Sequence, residues 1–446
     1  MPNILIKISF GALLLGGVFL SPACAVNLEE AYLSAHSYDA ELQAAQAARL
    51  EVEEGVPVAR AGLLPQINYN YQRDKANTVN YRGGVSNDVG DYFRDSNSLT
   101  LRQALYRKSV WAGYKSAQAQ SEAADANYRK EVQNLGMRVS TTYLDVLLAR
   151  VGLNLANAET KAMDGLVALA ERAIQFGTGT RTDVDDARAR RDMSRARVSE
   201  AAIRLSQASQ DFRTVTDIDA RQLPEIDPRR LQGRTLAIKD RANWLVRIED
   251  ANPEVQSLRM QLDAANAEIE RAKGGHYPSV DLVISRQEGS SETNTTIGTG
   301  YRTNYAGFQV SVPLVNGFGV MAQVRQTSAR SDRVRHTLES TRRKVLAEAE
   351  RLFSTIAQGI EKVEAVEQAI ISAEQALISS QKGVQAGTRT IVDVLDAERR
   401  LFEMKRDQAF SMFELANNRL KFLALADAID VETIKSASTW LSAARQ

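Results

Sequence analysis

Two long stretches of the chain contain no proline, one between Pro65 and Pro224 and the other after Pro313. Within them, residues 110–175 and 318–383 are rich in Ala, Arg, Glu, Gln and Leu, which are strong helix formers. A continuous helix of about 66 residues would be about 100 Å long. A helix so long and so charged cannot bury itself in an ordinary globule, so we expect it to pack against other helices along its length.

Each long helix is predicted to lie between a β-hairpin and a shorter helix. Alternating apolar and polar residues, separated by a polar loop, predict hairpins at 66–105 and 279–313, with strands of about 8–11 residues. Shorter helices of about 35 residues are predicted to return over 183–216 and 393–425. Apolar residues at helical spacing also predict a helix over 28–60, before the first hairpin, so the order helix, hairpin, long helix, short helix is expected twice.

The sequence also matches itself. Seven of the eleven residues from Gly177 to Ala187 are identical to those from Gly387 to Ala397. The repeat unit is about 200 residues, far longer than the unit of a solenoid. We therefore predict a duplicated element, with a first structural repeat at 26–235 and a second at 236–446.

The first 25 residues have the features of a secretory signal peptide. Lys7 precedes an apolar run from Ile8 to Leu20, and Ala23-Cys24-Ala25 fits a small-x-small cleavage site. Lipidation of Cys24 and a buried N-terminal helix are the alternatives, and Pro22 disfavours the helix. Cleavage after Ala25 would remove the chain's single cysteine, which suits an oxidising compartment.

Composition excludes several classes of function. A formal net charge of +1 leaves no positive field for nucleic acid. One Cys and three scattered His rule out a dense His/Cys metal site, and we expect no metal and no cofactor. No pattern of nucleophile, base or metal ligands is present, so we do not expect an enzyme.

The number of predicted strands constrains the assembly. Four strands cannot close a membrane barrel, because the smallest closed barrels have eight, and open strand edges cannot lie in lipid. If these strands enter a membrane, several chains must share one barrel, and three chains would supply twelve strands. The alternative is a pair of small hairpins that cap soluble helical bundles.

Several motifs resemble the TolC-type outer membrane efflux protein family. They are Gly387-Thr-Arg-Thr-Ile-Val-Asp-Val-Leu-Asp-Ala397, the helix-to-strand junctions Ala61-Gly-Leu-Leu-Pro65 and Gly275-His-Tyr-Pro278, and Val312-Pro-Leu-Val-Asn-Gly317. The resemblance extends in the same order over essentially the whole mature chain. It implies a mainly α protein with membrane β-strands: a homotrimer with a twelve-stranded outer-membrane barrel and a long periplasmic α-helical barrel.

The resemblance also implies a function and partners. Channels of this family carry secreted proteins or toxic compounds passively from an inner-membrane transporter, of ABC or RND type, reached through a periplasmic adaptor protein. The expected location is the outer membrane of a Gram-negative envelope, in contact with its lipid and with a large periplasmic part. The alternative function is a soluble periplasmic coiled-coil scaffold or adaptor.

Two acidic residues are candidates for a gate. In the family, aspartates line the narrow periplasmic entrance, and the matching positions here are Asp393 and Asp396. Their i, i+3 spacing places both carboxylates on one helix face, so a trimer could concentrate six of them in a ring that binds cations and raises their pKa values. The alternative is that Thr390 and Asp393 form a helix capping box, as Thr180 and Asp183 also could.

The resemblance further implies links that hold the entrance shut. Arg389, Thr182 and Asp183 match the link positions, so we predict a contact between Arg389 and Thr182 or Asp183. Two other members of the family's network, a tyrosine and an arginine, fall on Val384 and Met412. Since Asp185 and Asp186 add further acid, we expect a looser, more acidic entrance.

Overall fold

A computed structural model describes residues 26–226, 236–291 and 299–442. The predicted signal peptide, with Cys24, lies outside the described residues. The described chain begins with three successive helices, α1 (Leu28–Tyr38), α2 (Ala40–Glu53) and α3 (Gly55–Ala61). The first helix begins at a capping box, because Asn27 Oδ1 accepts from the Glu30 backbone N–H at 2.8 Å while Glu30 accepts from the Asn27 N–H.

Four antiparallel strands form one sheet in the order β1–β2–β3–β4. The strands are β1 (Gln66–Arg82), β2 (Val85–Tyr106), β3 (Ser279–Ser291) and β4 (Thr299–Ser311). Gly83 and Gly84 both have positive φ, which suits the two-residue turn of a tight hairpin. Both predicted hairpins are present, and β2 pairs with β3 to join them. Among the described strands, β1 and β4 are the edges of the sheet.

The strands are longer than predicted, with 17, 22, 13 and 13 residues. The prediction was wrong over the polar stretch 74–96, which pairs as strand on both sides of the turn. Lys75 lies 2.6 Å from Asp91, and Arg94 lies 2.7 Å from Asp74, so opposite charges face each other across the hairpin. Backbone pairing with complementary neighbours stabilises a strand without apolar side chains.

The two faces of the sheet differ in polarity. The register places Ile67 opposite Leu101 and Leu101 opposite Ile284, and further apolar side chains from all four strands lie on that face. These residues are Tyr69, Leu99, Leu282 and Phe308. The opposite face carries Thr100 and Ser285, whose hydroxyl oxygens lie 3.0 Å apart. Alternation of this kind is typical of a sheet with one apolar and one wet side.

The predicted long helices are present. They are α4 (Lys108–Gln175) with 68 residues and α8 (Gly319–Gln385) with 67, each about 100 Å long. The shorter return helices α5 (Arg181–Thr216) and α9 (Ile391–Leu425) are present as well. All four begin and end within two residues of the predicted positions.

The helices form a wall that is four helices wide. Three further α-helices lie in the described residues, α6 (Arg241–Ala251), α7 (Pro253–Lys273) and α10 (Val431–Ser442). Toward the sheet, α4 packs between α2 with α3 on one side and α7 on the other, and α7 packs on α8. Away from the sheet, α4 packs between α5 and α9, and α9 packs on α8. The wall therefore has α2, α3 and α5 along one edge and α8 along the other.

The main hydrophobic core lies near the middle of the wall. It joins α1, α4, α5, α8, α9 and the C-terminal residues, with the rings of Tyr143 and Phe212 packed edge to face. Arg150 donates to the backbone carbonyls of Ala220 and Leu223, which fastens the segment after α5 to α4. The shorter segments of the chain thus pack against the middle of the long helices.

A tight junction connects the sheet to the helices. Asp281 on β3 has a side chain that is only 5% exposed, and it accepts from Arg107 Nε at 2.8 Å. Beside it, Gly274 approaches the backbone of Ser109 so closely that a Cβ at this glycine would lie 2.7 Å from the Ser109 nitrogen. The start of α4 and the end of α7 are therefore fixed against each other.

Candidate functional site

Two similar turns lie at the end of the wall farthest from the sheet. The turn from α4 to α5 contains Gly177, and the turn from α8 to α9 contains Gly387, with φ values of 71° and 70°. A left-handed residue at this position ends an α-helix, and glycine adopts it without a steric penalty. The matching eleven-residue motifs of the sequence therefore form the two turns and the starts of α5 and α9.

Both helices after these turns begin with a capping box, as the sequence predicted. The Thr180 hydroxyl accepts from the Asp183 N–H at 3.2 Å, and Asp183 Oδ2 accepts from the Thr180 N–H at 2.9 Å. Thr390 and Asp393 repeat this arrangement at 3.3 and 2.8 Å. The capping function of Asp393 is therefore confirmed, and it is compatible with a second function at an entrance.

A small hydrophobic cluster, here called the turn cluster, brings the two turns together. Its buried members come from three helices: Met163, Val167 and Ala170 from α4, Val184 and Ala187 from α5, and Ile391 and Leu395 from α9. Burial of apolar surface stabilises such a contact in proportion to the area removed from water. The first turns of α5 and α9 are thus held side by side within one chain.

Asp396 has a cationic partner that the sequence analysis missed. Arg190 Nη1 on α5 donates to Asp396 Oδ1 at 2.6 Å, and the two side chains are 29% and 38% exposed. This ion pair joins α5 to α9 on the sheet side of the two turns. The only sequence signal is the basic run around Arg190, which by itself does not identify a partner 206 residues away.

Asp393 lies in a different environment from Asp396. It is exposed, and the backbone N–H and hydroxyl of Thr390 both donate to its carboxylate and hold its pKa below the usual value, with a smaller effect from the Arg389 charge. The repulsion between carboxylates that was expected to raise these pKa values would arise only in a ring formed by several chains. The ring of Asp393 and Asp396 stays a prediction.

Arg389 is engaged within its own helix pair. Its Nη1 donates to Ser380 Oγ at 2.8 Å, and its side chain covers Gly383. Among the described residues, Asp183 is bonded to Thr180, and neither Asp183 nor Thr182 bonds to Arg389. The predicted link from Arg389 to these residues therefore stays a prediction, for contacts between chains.

The residues at the other link positions are apolar and buried to different degrees. Val384 packs against the turn cluster, and Met412 is fully buried in the main core. Asp185 and Asp186 are exposed beside the start of α5. The looser, more acidic entrance expected from the sequence stays a prediction, and Met412 lies in the main core rather than at the turns.

A buried ion cluster, also missed by the sequence analysis, lies farther from the turns toward the sheet. Glu159 on α4 is 2% exposed and accepts from Arg197 on α5 at 2.6 Å and from Arg406 on α9 at 3.0 Å. No local pattern could reveal this cluster, because its members are 38 and 247 residues apart in sequence.

A cavity of about 770 Å³ opens next to this cluster, between α5 and α9 with α4 as its floor. Arg197 and Arg406 line it together with Asp145, Asp211 and Phe410. Burial, with the nearby Asp211 charge, raises the pKa of Asp145. The cavity lies where α5 and α9 are not in direct contact with each other.

Two kinds of feature are absent from the described ranges. No group of three or more His, Cys, Asp or Glu residues in them is placed to hold a metal ion. None of the described helices is both long and apolar enough to cross a membrane.

Comparisons with known proteins agree with this architecture. The family described as outer membrane efflux protein matches residues 32–216 and 244–416. The proteases secretion protein PrtF of Dickeya chrysanthemi is 29% identical, over 95% of this chain and 92% of PrtF. The alkaline protease secretion protein AprF of Pseudomonas aeruginosa is 28% identical, over 95% and 89% of the two chains. The crystal structure of the outer membrane protein VceC of Vibrio cholerae shares the fold, with a TM-score of 0.77 at 18% identity, over 90% and 96% of the two chains.

A helical wall that ends in an antiparallel sheet with one apolar face is thus a fold shared with an outer membrane protein of known structure. The family match covers well over half of the residues and both halves of the wall. The chain belongs to the outer membrane efflux protein family, and its location is the outer membrane.

Proposed function

We propose that three copies of this chain form an exit channel, with a twelve-stranded barrel in the outer membrane and an α-helical tunnel of about 100 Å in the periplasm. One observation carries the proposal. The sheet edge β1 follows α2 and α3 on one edge of the helical wall, and the sheet edge β4 precedes α8 on the other. A single rotation that pairs β4 of one copy with β1 of the next therefore also closes the helical wall into a ring.

Exposed apolar residues support this closure. Ile67 on β1 and Phe308 on β4 are exposed, and so are Leu314 and Val315 between β4 and α8. Exposed apolar surface of this extent marks contact with lipid or with another chain. A closed barrel would satisfy the backbone groups of both sheet edges, as a bilayer requires.

The proposal includes an internal duplication of the chain. The same order of elements, helix, hairpin, long helix and return helix, occurs in residues 28–216 and in residues 241–425. Two repeats in each of three copies would give the tunnel six similar helix pairs. A duplicated subunit thus explains why the turns at Gly177 and Gly387 are so alike.

The gate of this channel is proposed to lie at the two turns. Asp393 and Asp396 of three copies would surround the periplasmic entrance and favour cations. Arg389 of one copy would bond to Thr182 or Asp183 of the next and hold the entrance closed. The exposed position of Thr182 and Asp393 supports this arrangement.

The proposed partners are a periplasmic adaptor and an inner-membrane transporter. PrtF and AprF are named for the secretion of proteases, so we propose a polypeptide cargo and a transporter of the ABC type. VceC is a structural relative from an outer membrane, and export of small toxic compounds through an RND transporter is the second candidate.

The first test is the mass of the detergent-purified protein by light scattering, together with its single-channel conductance in planar bilayers. A trimer that forms cation-selective pores is the expected result. A water-soluble protein that forms no pore would contradict the channel and favour the periplasmic scaffold.

The cargo is tested separately, by deleting the gene for this protein in the native host. Loss of a specific protein from the medium supports a polypeptide cargo, and increased drug sensitivity alone supports the second candidate.

A further inference from the structure

We infer that the buried ion pair between Glu159 and Arg406 is a second lock on the entrance, acting inside each chain. This inference rests on the proposed channel, because it concerns how far the two helix pairs of one chain can separate. Glu159 and Arg406 are positioning residues in this proposal, and neither needs to touch the cargo.

The geometry distinguishes two bonds to the same carboxylate. Arg197 and Glu159 belong to the same helix pair, α4 with α5, and their bond stays inside that pair. Arg406 belongs to the other pair, α8 with α9, so its 3.0 Å bond to Glu159 Oε2 crosses between the pairs. The two arginines are equally exposed, at 35% each, while Glu159 is 2% exposed.

Burial makes this crossing bond hard to break. A carboxylate removed from water needs its partners, and loss of one partner leaves charge that solvent cannot fully stabilise. The pair between Arg190 and Asp396 lies nearer the turns and is more exposed, so water and salt screen it more strongly. The two pairs thus form an outer latch that salt can weaken and an inner lock that salt affects less.

The position of the lock allows it to limit how far the two helix pairs separate at the turns. Glu159 precedes the last residue of α4 by 16 positions, which corresponds to about 24 Å of helix. On the turn side of Glu159, the turn cluster and the Arg190 pair hold α5 against α9. Around Arg197 and Arg406, the cavity separates the same two helices. Movement of α8 and α9 away from α4 and α5 at the turns must therefore strain or break the bond to Arg406.

The test compares Arg406→Gln with Arg197→Gln in purified channels. Each variant removes one arginine from Glu159 and leaves the other, so the two are matched in charge and burial. We expect Arg406→Gln to raise the open-to-closed ratio of single channels by about tenfold, equivalent to about 1.4 kcal/mol. We expect Arg197→Gln to leave this ratio within about twofold, which is a few tenths of a kcal/mol.

Equal effects of the two variants, or no effect of Arg406→Gln in an intact trimer, would overturn the lock. A merely structural role for the cluster predicts equal effects. If Arg406→Gln fails to assemble, Arg406→Lys keeps the charge with a different reach and should raise the ratio in the same direction by a smaller factor. No rise with Arg406→Lys would also overturn the lock. Failure of the wild-type protein to form pores would instead contradict the channel, and the lock with it.

Discussion

Arg190 donates to Asp396 at 2.6 Å and so compensates the charge of one of the two acids placed at the proposed entrance. Asp393, three residues earlier, is bonded to Thr390 and has no ion pair within the described part of the chain. The two aspartates are therefore not equivalent, although their spacing suggests a uniform pair. Of these two aspartates, Asp393 should contribute more to the negative field at the entrance.

Removal of Arg190 should expose the charge of Asp396. We expect Arg190→Gln to increase the preference of the channel for cations and to raise its conductance, because the bond between α5 and α9 is lost. Asp396→Asn should raise conductance with little change in selectivity, whereas Asp393→Ala should weaken selectivity. Reversal potentials in a salt gradient and single-channel conductance measure these effects.

Arg188→Gln is the matched control for Arg190→Gln. Arg188 pairs with Glu171 at 2.7 Å, and this bond joins α4 to α5 without reaching α9. Arg188→Gln should change neither selectivity nor conductance beyond the effect of removing one exposed charge. Equal changes in Arg188→Gln and Arg190→Gln would show that the pair with Asp396 has no special effect.

Arg389→Ala tests the predicted link to Thr182 or Asp183. Loss of the guanidinium should raise conductance if the link holds the entrance closed between chains. The same substitution also removes the bond to Ser380 at 2.8 Å, so Ser380→Ala is the control that removes this bond alone. Conductance that stays at the wild-type level in Arg389→Ala would rule out the link.

Gly274→Ala should disturb the junction between sheet and helices. The new Cβ would lie within 2.8 Å of three atoms of Ser109, two of them backbone, so one of the two helices must move. We expect a loss of about 1–3 kcal/mol in the free energy of unfolding. Gly165→Ala, at an exposed position of α4, is the control, because the added Cβ meets nothing within 4 Å. This substitution should stabilise the helix by about 0.5–1 kcal/mol. Thermal unfolding in detergent compares the two.

Glu398 predicts a dependence of stability on pH. Burial, and to a lesser degree the Glu159 charge, raises its pKa above the usual glutamate value of 4.5, although Lys405 opposes the shift. The folded chain therefore binds this proton more readily than the unfolded chain does. The contribution of Glu398 to stability then falls as pH rises from about 4.5 through the raised pKa.

Glu398→Gln should consequently be more stable than the wild type at neutral pH and lose this advantage in acid. Unfolding temperatures measured across the pH range test the prediction. Glu403→Gln, which removes a carboxylate 41% exposed beside Arg399, is the control and should show no such trend. A Glu398→Gln variant with the wild-type pH profile would contradict the assigned burial effect.

Sequence reasoning predicted the elements whose cause is local. Proline-free helix formers fix α4 and α8, and the Gly-Thr motifs fix the turns at Gly177 and Gly387, because capping depends on residues three positions apart. The extension of β1 and β2 through 74–96 was missed, since charge pairs such as Lys75 with Asp91 exist only after the strands have paired.

The candidate site was predictable to a smaller extent. Asp393 was identified with both of its possible functions, because its cap lies nearby in sequence. The partners of Asp396 and Glu159 were missed, since Arg190 and Arg406 come close only when α5, α4 and α9 pack together. The turns were therefore predictable, whereas the bonds between helix pairs required the tertiary structure.

The pairing of β2 with β3 also determines when the sheet can be completed. Thr100 and Ser285 bond across these strands, yet 185 residues separate them in the chain. Contacts so distant in sequence form slowly, because the intervening loop must be closed first. The first hairpin must therefore wait, with the outer edge of β2 unpaired and liable to wrong pairing, until the second half of the chain has been exported. We expect the helical wall to form early and the membrane sheet to form last.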